Sequence, residues 1–503
     1  MSKQKQIGKA KERFIIKARN AVITKATPKE KVTTKTKVTT KTKVTTKTKV
    51  TTKTKLTGRI VFPDDADYDR ARVEYNRRFN KFPRVIVFCQ RTQDIINAVK
   101  WARERKVPIR IRSGRHSYEG FSAVTGGIII DVSEMNKIRV DRKRNLAYVQ
   151  TGAQLAEVYR QLWEKGVTIP AGTAADVGVA GLTLGGGIGL LSRQYGLTLD
   201  HLQAVNMVVA SGKKGAKLLK ATPGQHADLL WASKGGGGGN FGIASSFTFR
   251  VRPIKSVSIY SITWKWKDFI KVFDKWQRWA PSVTNRLTST IEMSSKQVGT
   301  IVSTGQLLGT AEELRRLVKP LLDTGSPIKV KVQQVPYIEA VKFFAESDEN
   351  LLPKFKITGA YAYKNLPIQG IKVLQDFLAK TPNRHSTVWC QSLGGAVGRV
   401  MPSETAYFHR GARYIFELSA RWRENTSQPA SVHWVNRFRE ALTPYVIGDY
   451  VNFPDLHIKH WPQAYYGTNF VRLKQIKKKY DPHNVFCFPQ SIPVQRVKRK
   501  RVK

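Results

Sequence analysis

The hydrophobic positions of residues 92–165 switch repeatedly between the spacing of a helix and that of a strand. Residues 92–105 predict a helix with Thr92 as its N-cap, because apolar residues recur every three or four positions. Alternation and short apolar runs predict strands over 107–112 and 127–132, a hairpin over 138–150 that turns at 142–145, and then a second helix over 154–165. Mixed elements without a regular strand–helix–strand rhythm indicate an α+β fold.

A second region with a different pattern begins after Pro253. Residues 260–266 alternate between large apolar and other side chains, which predicts a strand. Residues 269–279 place aromatic and aliphatic side chains at helical spacing, which predicts an amphipathic helix. Aromatic residues at this spacing usually pack into a core, so we interpret them as core, with a cofactor-contacting surface as the alternative.

Residues 1–58 show neither spacing. Residues 32–55 repeat the hexad Val-Thr-Thr-Lys-Thr-Lys four times, so one position in six is apolar. Such a segment buries too little apolar surface to offset the entropy lost on ordering. We therefore expect a disordered basic arm over residues 1–58 and a shorter basic tail over 493–503, with a β-solenoid of hexads as the less favoured alternative.

The charge of the chain points to anionic partners. Of its 503 residues, 41% are hydrophobic, which rules out disorder of the whole chain. Lys and Arg number 87 against 36 Asp and Glu, a net charge of +51. Residues 1–58 hold 18 basic and two acidic side chains and residues 493–503 hold six basic ones, so the rest of the chain carries +29. A field of this sign attracts polyanions such as nucleic acid, anionic polysaccharide or anionic lipid.

Other features of the composition exclude several classes of protein. Cys89, Cys390 and Cys487 are widely spaced and form no CxxC pair, so we expect neither a disulfide framework nor a metal site. No stretch reaches the ~18 consecutive apolar residues of a membrane helix, so no membrane span is expected. Residues 1–20 lack the apolar core of a signal peptide, which predicts a cytoplasmic origin, with later packaging in a spore coat or viral particle left open.

Three glycine-rich loops are the first candidates for chemistry. They are Arg112–Tyr118, Gly181–Gly189 and Lys234–Gly242. Glycine allows backbone N–H groups to converge on an anion, and Arg112 and Arg115 would add charge-assisted hydrogen bonds. None of the loops fits the G-x-G-x-x-G pattern of a Rossmann site. Together they indicate a large, phosphate-bearing ligand, whereas tight turns are the alternative for each loop alone.

Longer motifs surround these loops and continue near the end of the chain. They are Arg112-Ser-Gly-Arg-His-Ser-Tyr-Glu-Gly-Phe-Ser122, Val177-Gly-Val-Ala-Gly-Leu-Thr-Leu-Gly-Gly-Gly-Ile-Gly189, Leu230-Trp-Ala-Ser-Lys-Gly-Gly-Gly-Gly-Gly-Asn-Phe-Gly242, Tyr465-Tyr-Gly-Thr-Asn469, Tyr480-Asp-Pro-His-Asn-Val-Phe486 and Gln490-Ser-Ile492. With these motifs in this order, residues 83–253 and 445–492 resemble the berberine-bridge-enzyme-like branch of the vanillyl-alcohol-oxidase fold, a family of FAD-linked oxidoreductases.

The resemblance implies the organisation of the folded chain. It implies an α+β fold in which a two-lobed PCMH-type FAD-binding domain holds an inserted substrate domain, an antiparallel sheet covered by helices. The two lobes would be residues 59–253 and 445–492, and the substrate domain would be residues 254–444. The disordered basic termini would flank this unit.

The resemblance also implies the cofactor, FAD, and the residues that hold it. A ring nitrogen of His116 would be joined to the 8α-methyl group of FAD, which suits imidazole as a nucleophile near neutral pH. Many members add a cysteinyl link, but its position here is Ala174, so we expect one covalent link. Val177 matches the position that gates oxygen access, where a small residue goes with oxidases, and plain packing is the alternative. The residues expected to bind the cofactor are Arg112, Ser113, Gly114, Arg115, His116, Ser117, Val177, Gly178, Gly181, Gly185, Gly186, Gly187, Asn240, Gly242 and Asn484.

The catalytic residues follow from the same resemblance. Tyr450 and Asn452 match the family's Tyr-x-Asn motif, whose tyrosine often abstracts the proton of a substrate hydroxyl. Free tyrosine has a pKa near 10, so we expect neighbouring positive charge to make Tyr450 a base near neutral pH, and a core tyrosine is the alternative. Asn484 would contact the flavin, and His409 and Arg410 would lie near the substrate cavity.

These inferences predict an FAD-dependent oxidase. A substrate alcohol, or a similar C–H donor, would give a hydride to FAD, and molecular oxygen would reoxidise the flavin and yield hydrogen peroxide. The alternative is a structural or polyanion-binding protein, such as a spore-coat or virion component, that keeps the flavin fold as a scaffold. No motif in residues 254–444 identifies the small-molecule substrate.

Overall fold

Four β-sheets organise the part of the chain that the computed structural model describes, residues 54–345 and 353–494. None of the helices in these residues is long and apolar enough to span a bilayer. The strands are β1 (Arg59–Val61), β2 (Val85–Phe88), β3 (Ile109–Arg112), β4 (Ile128–Asp131), β5 (Ile138–Asp141), β6 (Leu146–Gln150), β7 (Val167–Thr168), β8 (Leu202–Ser211), β9 (Gly215–Ala221), β10 (Ile243–Arg250), β11 (Arg252–Pro253), β12 (Ser256–Lys265), β13 (Leu287–Ser294), β14 (Thr300–Leu307), β15 (Pro327–Pro336), β16 (Lys354–Ala362), β17 (Ser386–Ser392) and β18 (Tyr414–Trp422). The α-helices are α1 (Tyr68–Arg72), α2 (Thr92–Arg105), α3 (Leu155–Trp163), α4 (Val179–Gly185), α5 (Ser192–Tyr195), α6 (Ala227–Ser233), α7 (Phe269–Trp279), α8 (Ala311–Leu322), α9 (Tyr337–Phe344), α10 (Ile368–Ala379), α11 (Gln428–Leu442), α12 (Trp461–Tyr466) and α13 (Phe470–Tyr480).

The first sheet has the strand order β1-β2-β4-β3, and β2, β4 and β3 are parallel. The predicted helix 92–105 is confirmed as α2, whose apolar face packs on this sheet. The predicted cap at Thr92 is wrong, because Arg91 is the N-cap residue. Oδ2 of Asp94 reaches back and accepts the backbone N–H groups of Gln90 and Arg91, each at 3.1 Å. Asp94 is the third residue of the helix, and a carboxylate at this position that accepts the N–H of the N-cap residue is typical of a capping box, which makes Arg91 the cap.

Residues 54–58, which the sequence analysis places in the basic arm, lie against α2. The Thr54 backbone N–H donates to Oε2 of Glu104 at 2.9 Å, and Thr57 Oγ1 donates to Oδ1 of Asp94 at 2.6 Å. The rest of the predicted arm, and the tail from residue 495, lie outside the described residues. A polyanion partner for these segments therefore stays a prediction.

The second sheet is antiparallel, with the strand order β5-β6-β10-β8-β9. The predicted hairpin is confirmed, since β5 and β6 pair on either side of residues 142–145. The core on this sheet also contains Leu473, Tyr480 and Ile492 from the end of the chain. Residues near the C-terminus therefore complete a core that begins more than 300 residues earlier at Ala147.

The third sheet consists of β11 and β7 alone, and the fourth is an antiparallel sheet of seven strands, in the order β15-β12-β14-β13-β17-β18-β16. Helices α7, α8, α10 and α11 share one hydrophobic core with it. The aromatic stripe of α7 is core as predicted, because Phe269, Phe273 and Trp276 are fully buried in this cluster. The α+β fold with an antiparallel sheet covered by helices is thereby confirmed.

A buried group of ions joins the seven-stranded sheet to the rest of the fold. Lys356 in β16 is 3% exposed, and its ammonium contacts both Glu119 and Asp455. Arg78 donates to the same Glu119 at 2.7 Å. Removing one partner of such a buried cluster leaves a charge without compensation, which typically costs about 3–5 kcal/mol. The cluster holds the sheet against the segment that follows the first glycine-rich loop.

Candidate active site

A cavity of about 750 Å³ lies between the glycine-rich loops and one face of the seven-stranded sheet. All three loops contribute to its lining, although they are distant in sequence. The predicted site residues that line it are Arg112, Ser113, Gly114, Arg115, His116, Ser117, Val177, Gly178, Gly181, Asn240, Gly242, Tyr450 and Asn452. The predicted residues that do not line it are Gly185, Gly186, Gly187 and Asn484.

The first glycine-rich loop touches the start of the motif Val177–Gly189 through two glycines. A Cβ at Gly114 would lie 2.2 Å from the backbone nitrogen of Gly178, and a Cβ at Gly178 would lie 2.4 Å from Oγ of Ser113. No side chain fits between backbones this close. Ser113 Oγ donates to the carbonyl of Thr151 at 2.8 Å, which ties the same loop to the second sheet. The contact fixes the position of the residues that follow Gly114.

His116 is held on two sides by residues that belong to no predicted site. Its ring stacks on Tyr75, with the ring centroids 3.9 Å apart and the planes inclined by 22°. Its Nε2 lies 2.8 Å from Oδ2 of Asp176. The side chain is 14% exposed, so protein groups rather than solvent set its orientation. Sequence reasoning missed both neighbours because their contacts depend on how distant segments meet, although Asp176 does precede Val177 of a recognised motif.

Arg112 differs from the expectation that its guanidinium binds a ligand anion. Nε donates to Oδ2 of Asp131 at 2.6 Å, Nη1 to Oε1 of Glu74 at 3.2 Å, and Nη2 to the carbonyl of Ala71 at 2.7 Å. The residue is 1% exposed, and all three guanidinium nitrogens bond within the protein. Arg112 therefore anchors the end of β3, from which the His116 loop leaves.

The contacts of three further glycines differ from the expectation that they bind the cofactor. They are Gly185, Gly186 and Gly187. A Cβ at Gly185 would lie 2.1 Å from Oδ1 of Asn452, and a Cβ at Gly186 would lie 2.8 Å from Oη of Tyr450. Gly186 has φ +156° and Gly187 has φ +81°, and the second value is one that side chains rarely adopt. Gly185 and Gly186 thus make room for the side chains of the Tyr-x-Asn motif, and a Cβ at Gly187 would lie 2.1 Å from Oγ1 of Thr198.

Tyr450 is buried at the edge of the cavity, with N–H donors around its hydroxyl. The backbone N–H of Gly187 donates to its Oη at 2.8 Å, and Nδ2 of Asn452 donates to it at 3.0 Å. Burial raises the pKa of Tyr450 to about 12, and the N–H groups of Gly187 and Ile188 and the Asn452 amide oppose that rise. Among the residues that the structure describes, no cation lowers this pKa as the sequence analysis expects, and the opposing contributions come from neutral N–H donors.

Asn240 connects the third glycine-rich loop to the end of the chain. Its Nδ2 donates to the carbonyl of Gly236 at 2.9 Å, and its Oδ1 accepts the backbone N–H of Ile492 at 2.8 Å. The side chain of Asn240 is thus a structural link in the cavity wall. Asn484 adopts φ +52° in the turn after α13, outside the cavity lining.

His409 and Arg410, expected near the substrate cavity, are not part of its lining. Nε2 of His409 lies 2.7 Å from the carbonyl of Ala464 and Nδ1 lies 2.9 Å from the hydroxyl of Tyr363, so Nε2 carries the proton. Burial lowers the pKa of His409 to about 4, which keeps the ring neutral. Arg410 forms two hydrogen bonds to Asp200, at 2.8 and 2.9 Å. Both residues hold the fold together behind the cavity.

The opposite wall of the cavity is the polar face of the seven-stranded sheet, which sequence reasoning missed. Alternate residues of a strand share one face, so alternation of polar residues within the strands was the signal that could have found it. Trp389 adds an aromatic surface to this wall. The residues of the polar face are Thr290, Glu292, Thr304, Thr387, Trp389, Gln391, Glu417, Ser419 and Arg421.

The cavity fits FAD in size and in the chemistry of its walls. Its volume lies within the range of about 300–1,000 Å³ that is usual for ligand sites. A Cβ at Gly181 would meet nothing within 4 Å, and one at Gly238 would meet its nearest neighbour at 3.8 Å, so bare backbone borders open space there. Such a cradle suits a pyrophosphate, and the His116 loop and the loops at Gly178–Gly181 and Gly237–Asn240 would hold it. Within the described residues, no cluster of three or more His, Cys, Asp or Glu is placed to bind a metal.

Known proteins share both the sequence and the architecture of this chain. A family described as "FAD binding domain" matches residues 83–214, and one described as "Berberine and berberine like" matches residues 449–493. An uncharacterised FAD-linked oxidoreductase of Bacillus subtilis (strain 168), YgaK, is 51% identical over 87% of this chain and 97% of its own length.

More distant relatives extend the likeness to other kingdoms. A carbohydrate oxidase of Microdochium nivale is 28% identical over 86% of this chain and 92% of its own length. The solved structure of BBE-like 1 from Physcomitrella patens aligns with a TM-score of 0.81 at 29% identity, over 87% of this chain and 97% of that one. With the loops, the cavity and the Tyr-x-Asn motif in place, the chain belongs to the berberine-bridge-enzyme-like family of FAD-linked oxidoreductases.

Proposed function

We propose that the protein is an oxidase that removes a hydride from the carbon of a substrate alcohol and passes the electrons to dioxygen, with hydrogen peroxide as product. FAD, when bound, supplies the hydride acceptor and the route to oxygen. The observation that carries the proposal is that the His116 loop, Tyr450 and the polar sheet face all line one and the same cavity. A carbohydrate oxidase among the relatives supports this direction of chemistry.

Tyr450 accepts the proton of the substrate hydroxyl in this proposal. Its oxygen already receives N–H donors from Gly187 and Asn452, which stabilise a phenolate after the proton of the tyrosine is lost. A deprotonated substrate oxygen favours departure of the hydride from the adjacent carbon. Asn452 is thus a donor to the base, and the glycines at 185–187 let both side chains reach the cavity wall.

The polar sheet face supports a substrate with several hydroxyl groups. It offers carboxylates at Glu292 and Glu417, an amide at Gln391 and the indole of Trp389. Carboxylates accept hydrogen bonds from hydroxyls, an amide both donates and accepts them, and an indole ring packs against the apolar face of a sugar or an aromatic ring. We therefore propose sugars and aromatic alcohols as the first substrates to test in a peroxide-coupled screen.

His116→Ala tests the covalent link that we propose. The wild-type protein is expected to keep its flavin colour in the pellet after acid precipitation, and the variant is expected to release all its flavin to the supernatant. His457→Ala is the matched control, because this histidine pairs with Glu440 away from the cavity. Flavin released by acid from the wild-type protein would exclude the link, and a protein that takes up no FAD would contradict the oxidase proposal.

A second prediction concerns the reaction of the reduced flavin with dioxygen. Val177, the residue at the proposed oxygen gate, lines the cavity together with the His116 loop. Val177→Leu is expected to slow reoxidation of the reduced flavin by dioxygen about tenfold, or about 1.4 kcal/mol of activation free energy, because the larger side chain fills the approach of oxygen. Turnover with an artificial electron acceptor should stay near the wild-type value. Stopped-flow absorbance measures the first rate, and equal slowing with both acceptors would show a general packing defect instead.

A further inference from the structure

We propose that Asp176 is a positioning residue that prepares His116 for its attachment to the flavin. The inference deepens the proposed function and rests on the covalent link at His116. It assigns a role to a carboxylate that belongs to neither the Tyr-x-Asn motif nor the phosphate cradle. The backbone of Asp176 lies against the first glycine-rich loop, since its carbonyl oxygen would be 3.1 Å from a Cβ at Gly114.

The geometry around the imidazole distinguishes its two nitrogens. Nε2 is buried and lies 2.8 Å from Oδ2 of Asp176, without the alignment of a regular hydrogen bond. Tyr75 stacks on the face of the ring at 3.9 Å and restricts its rotation. Contacts of catalytic groups are often poorly aligned before a ligand binds and tighten afterwards. With Nε2 turned to the carboxylate, Nδ1 is the nitrogen left to bond to the flavin.

The contact between the two glycines sets this geometry. Gly114 and Gly178 touch backbone to backbone, two residues from His116 and two from Asp176 respectively. The carbonyl of Asp176 itself would lie 3.1 Å from a Cβ at Gly114. The loops are therefore locked at the point where a carboxylate meets the edge of the imidazole. A carboxylate beside the N–H of an imidazole fixes its tautomer and raises its basicity.

The chemistry of attachment needs such a group. A bond forms between Nδ1 of His116 and the 8α carbon, and one C–H bond of that methyl group breaks. The C–H proton would pass to water, and the two electrons of the bond would pass through the flavin ring to dioxygen, the acceptor of the proposed oxidase, which takes up two protons and becomes hydrogen peroxide. Alkylation at Nδ1 makes the imidazole positive, and its Nε2 proton then moves toward Asp176. The carboxylate stabilises this positive charge as it develops.

The test follows the rate of attachment in full-length protein prepared from a riboflavin-limited culture and then supplied with FAD. Acid-stable flavin, measured by fluorescence of the denatured band, is divided by total bound FAD at each time. Asp176→Asn keeps the shape of the side chain and removes its charge, and we expect attachment to slow by about ten- to hundredfold. Glu440→Gln is the matched control, since it removes a carboxylate that lies 2.9 Å from Nε2 of another histidine, His457, outside the cavity, and it should attach flavin at the wild-type rate.

The outcomes separate this inference from the proposal beneath it. Wild-type protein that never holds flavin in acid defeats the covalent link itself. Wild-type protein that does, together with an Asp176→Asn variant that attaches bound FAD equally fast, overturns the role of Asp176 alone. If Asp176→Asn binds too little FAD to follow, Asp176→Glu is measured in its place. Its displaced carboxylate should slow attachment at full occupancy, and attachment at the wild-type rate would overturn the inference.

Discussion

Replacing Tyr450 with phenylalanine is expected to lower kcat by about a hundred- to ten-thousandfold, the usual contribution of a positioned general base. The ring of the variant still fills its place beside Gly186, so flavin content should stay at the wild-type level, while the free energy of unfolding should fall by about 1–3 kcal/mol because a buried N–H group loses its acceptor. The lost oxygen is the one that accepts the N–H of Gly187 at 2.8 Å. Anaerobic bleaching of the flavin by substrate measures the hydride step directly and separates it from the reaction with oxygen.

The pH profile gives this prediction a second readout. Burial raises the pKa of Tyr450 to about 12, so the phenolate is a minor form at neutral pH. Its fraction increases about tenfold for each pH unit below the pKa, and kcat/KM of the wild-type protein should rise accordingly through the alkaline range. Tyr450→Phe should lose this rise.

A neighbouring tyrosine provides the control for the loss of a hydroxyl. Tyr407 packs against Tyr450 with ring centroids 6.2 Å apart, but its hydroxyl bonds to Tyr361 at 2.8 Å and does not line the cavity. Tyr407→Phe should keep both turnover and the alkaline rise. A Tyr450→Phe variant with undiminished bleaching would show that another group takes the proton.

Local elements could be predicted because their signals are local. The helix 92–105 and the hairpin turn at 142–145 follow from spacing and turn residues that lie side by side in the sequence. The predicted N-cap of that helix, Thr92, is wrong because of a contact within the first turn. Asp94 reaches back from the first turn, and a carboxylate there competes with the threonine that the pattern favours.

The sequence identifies the loops of the site, but it does not predict the contacts that individual residues within them make. Arg112 could be taken for an anion ligand because its partners, Glu74 and Asp131, lie in other segments. The glycines at 185–187 could be taken for a phosphate cradle because Tyr450 and Asn452 are more than 260 positions away. A glycine-rich motif predicts that another group approaches the backbone closely. Tertiary contacts decide whether that group is a ligand or a side chain of the protein.

The polar sheet face could not be predicted either, because it depends on which strands are neighbours. Glu292, Trp389 and Glu417 come from three strands, and they form one wall only because β13, β17 and β18 are neighbours in a fixed register. Alternation within one strand shows which residues share a face of the sheet. It does not show which face lines the cavity, because that depends on which side the helices cover.

Adding one methyl group at Gly114 is expected to abolish flavin binding, since it forces apart two loops that the cofactor needs together. The new Cβ would lie 2.2 Å from the nitrogen of Gly178 and 2.8 Å from its Cα, and backbone atoms cannot move aside as a flexible side chain can. Overpacking of this kind costs about 1–3 kcal/mol or more of folding free energy. Gly114→Ala should therefore purify without flavin absorbance and with a lowered Tm.

Gly224→Ala is the control for the loss of flavin in Gly114→Ala, because a Cβ at Gly224 would meet nothing within 4 Å. This control should keep the flavin and the wild-type Tm, which shows that the backbone freedom of a glycine is not the cause. The two glycines thus differ in what they touch rather than in residue type. A Gly114→Ala protein with full flavin content would mean that the loops separate without cost, and the close contact with Gly178 would then not be what holds His116 beside Asp176.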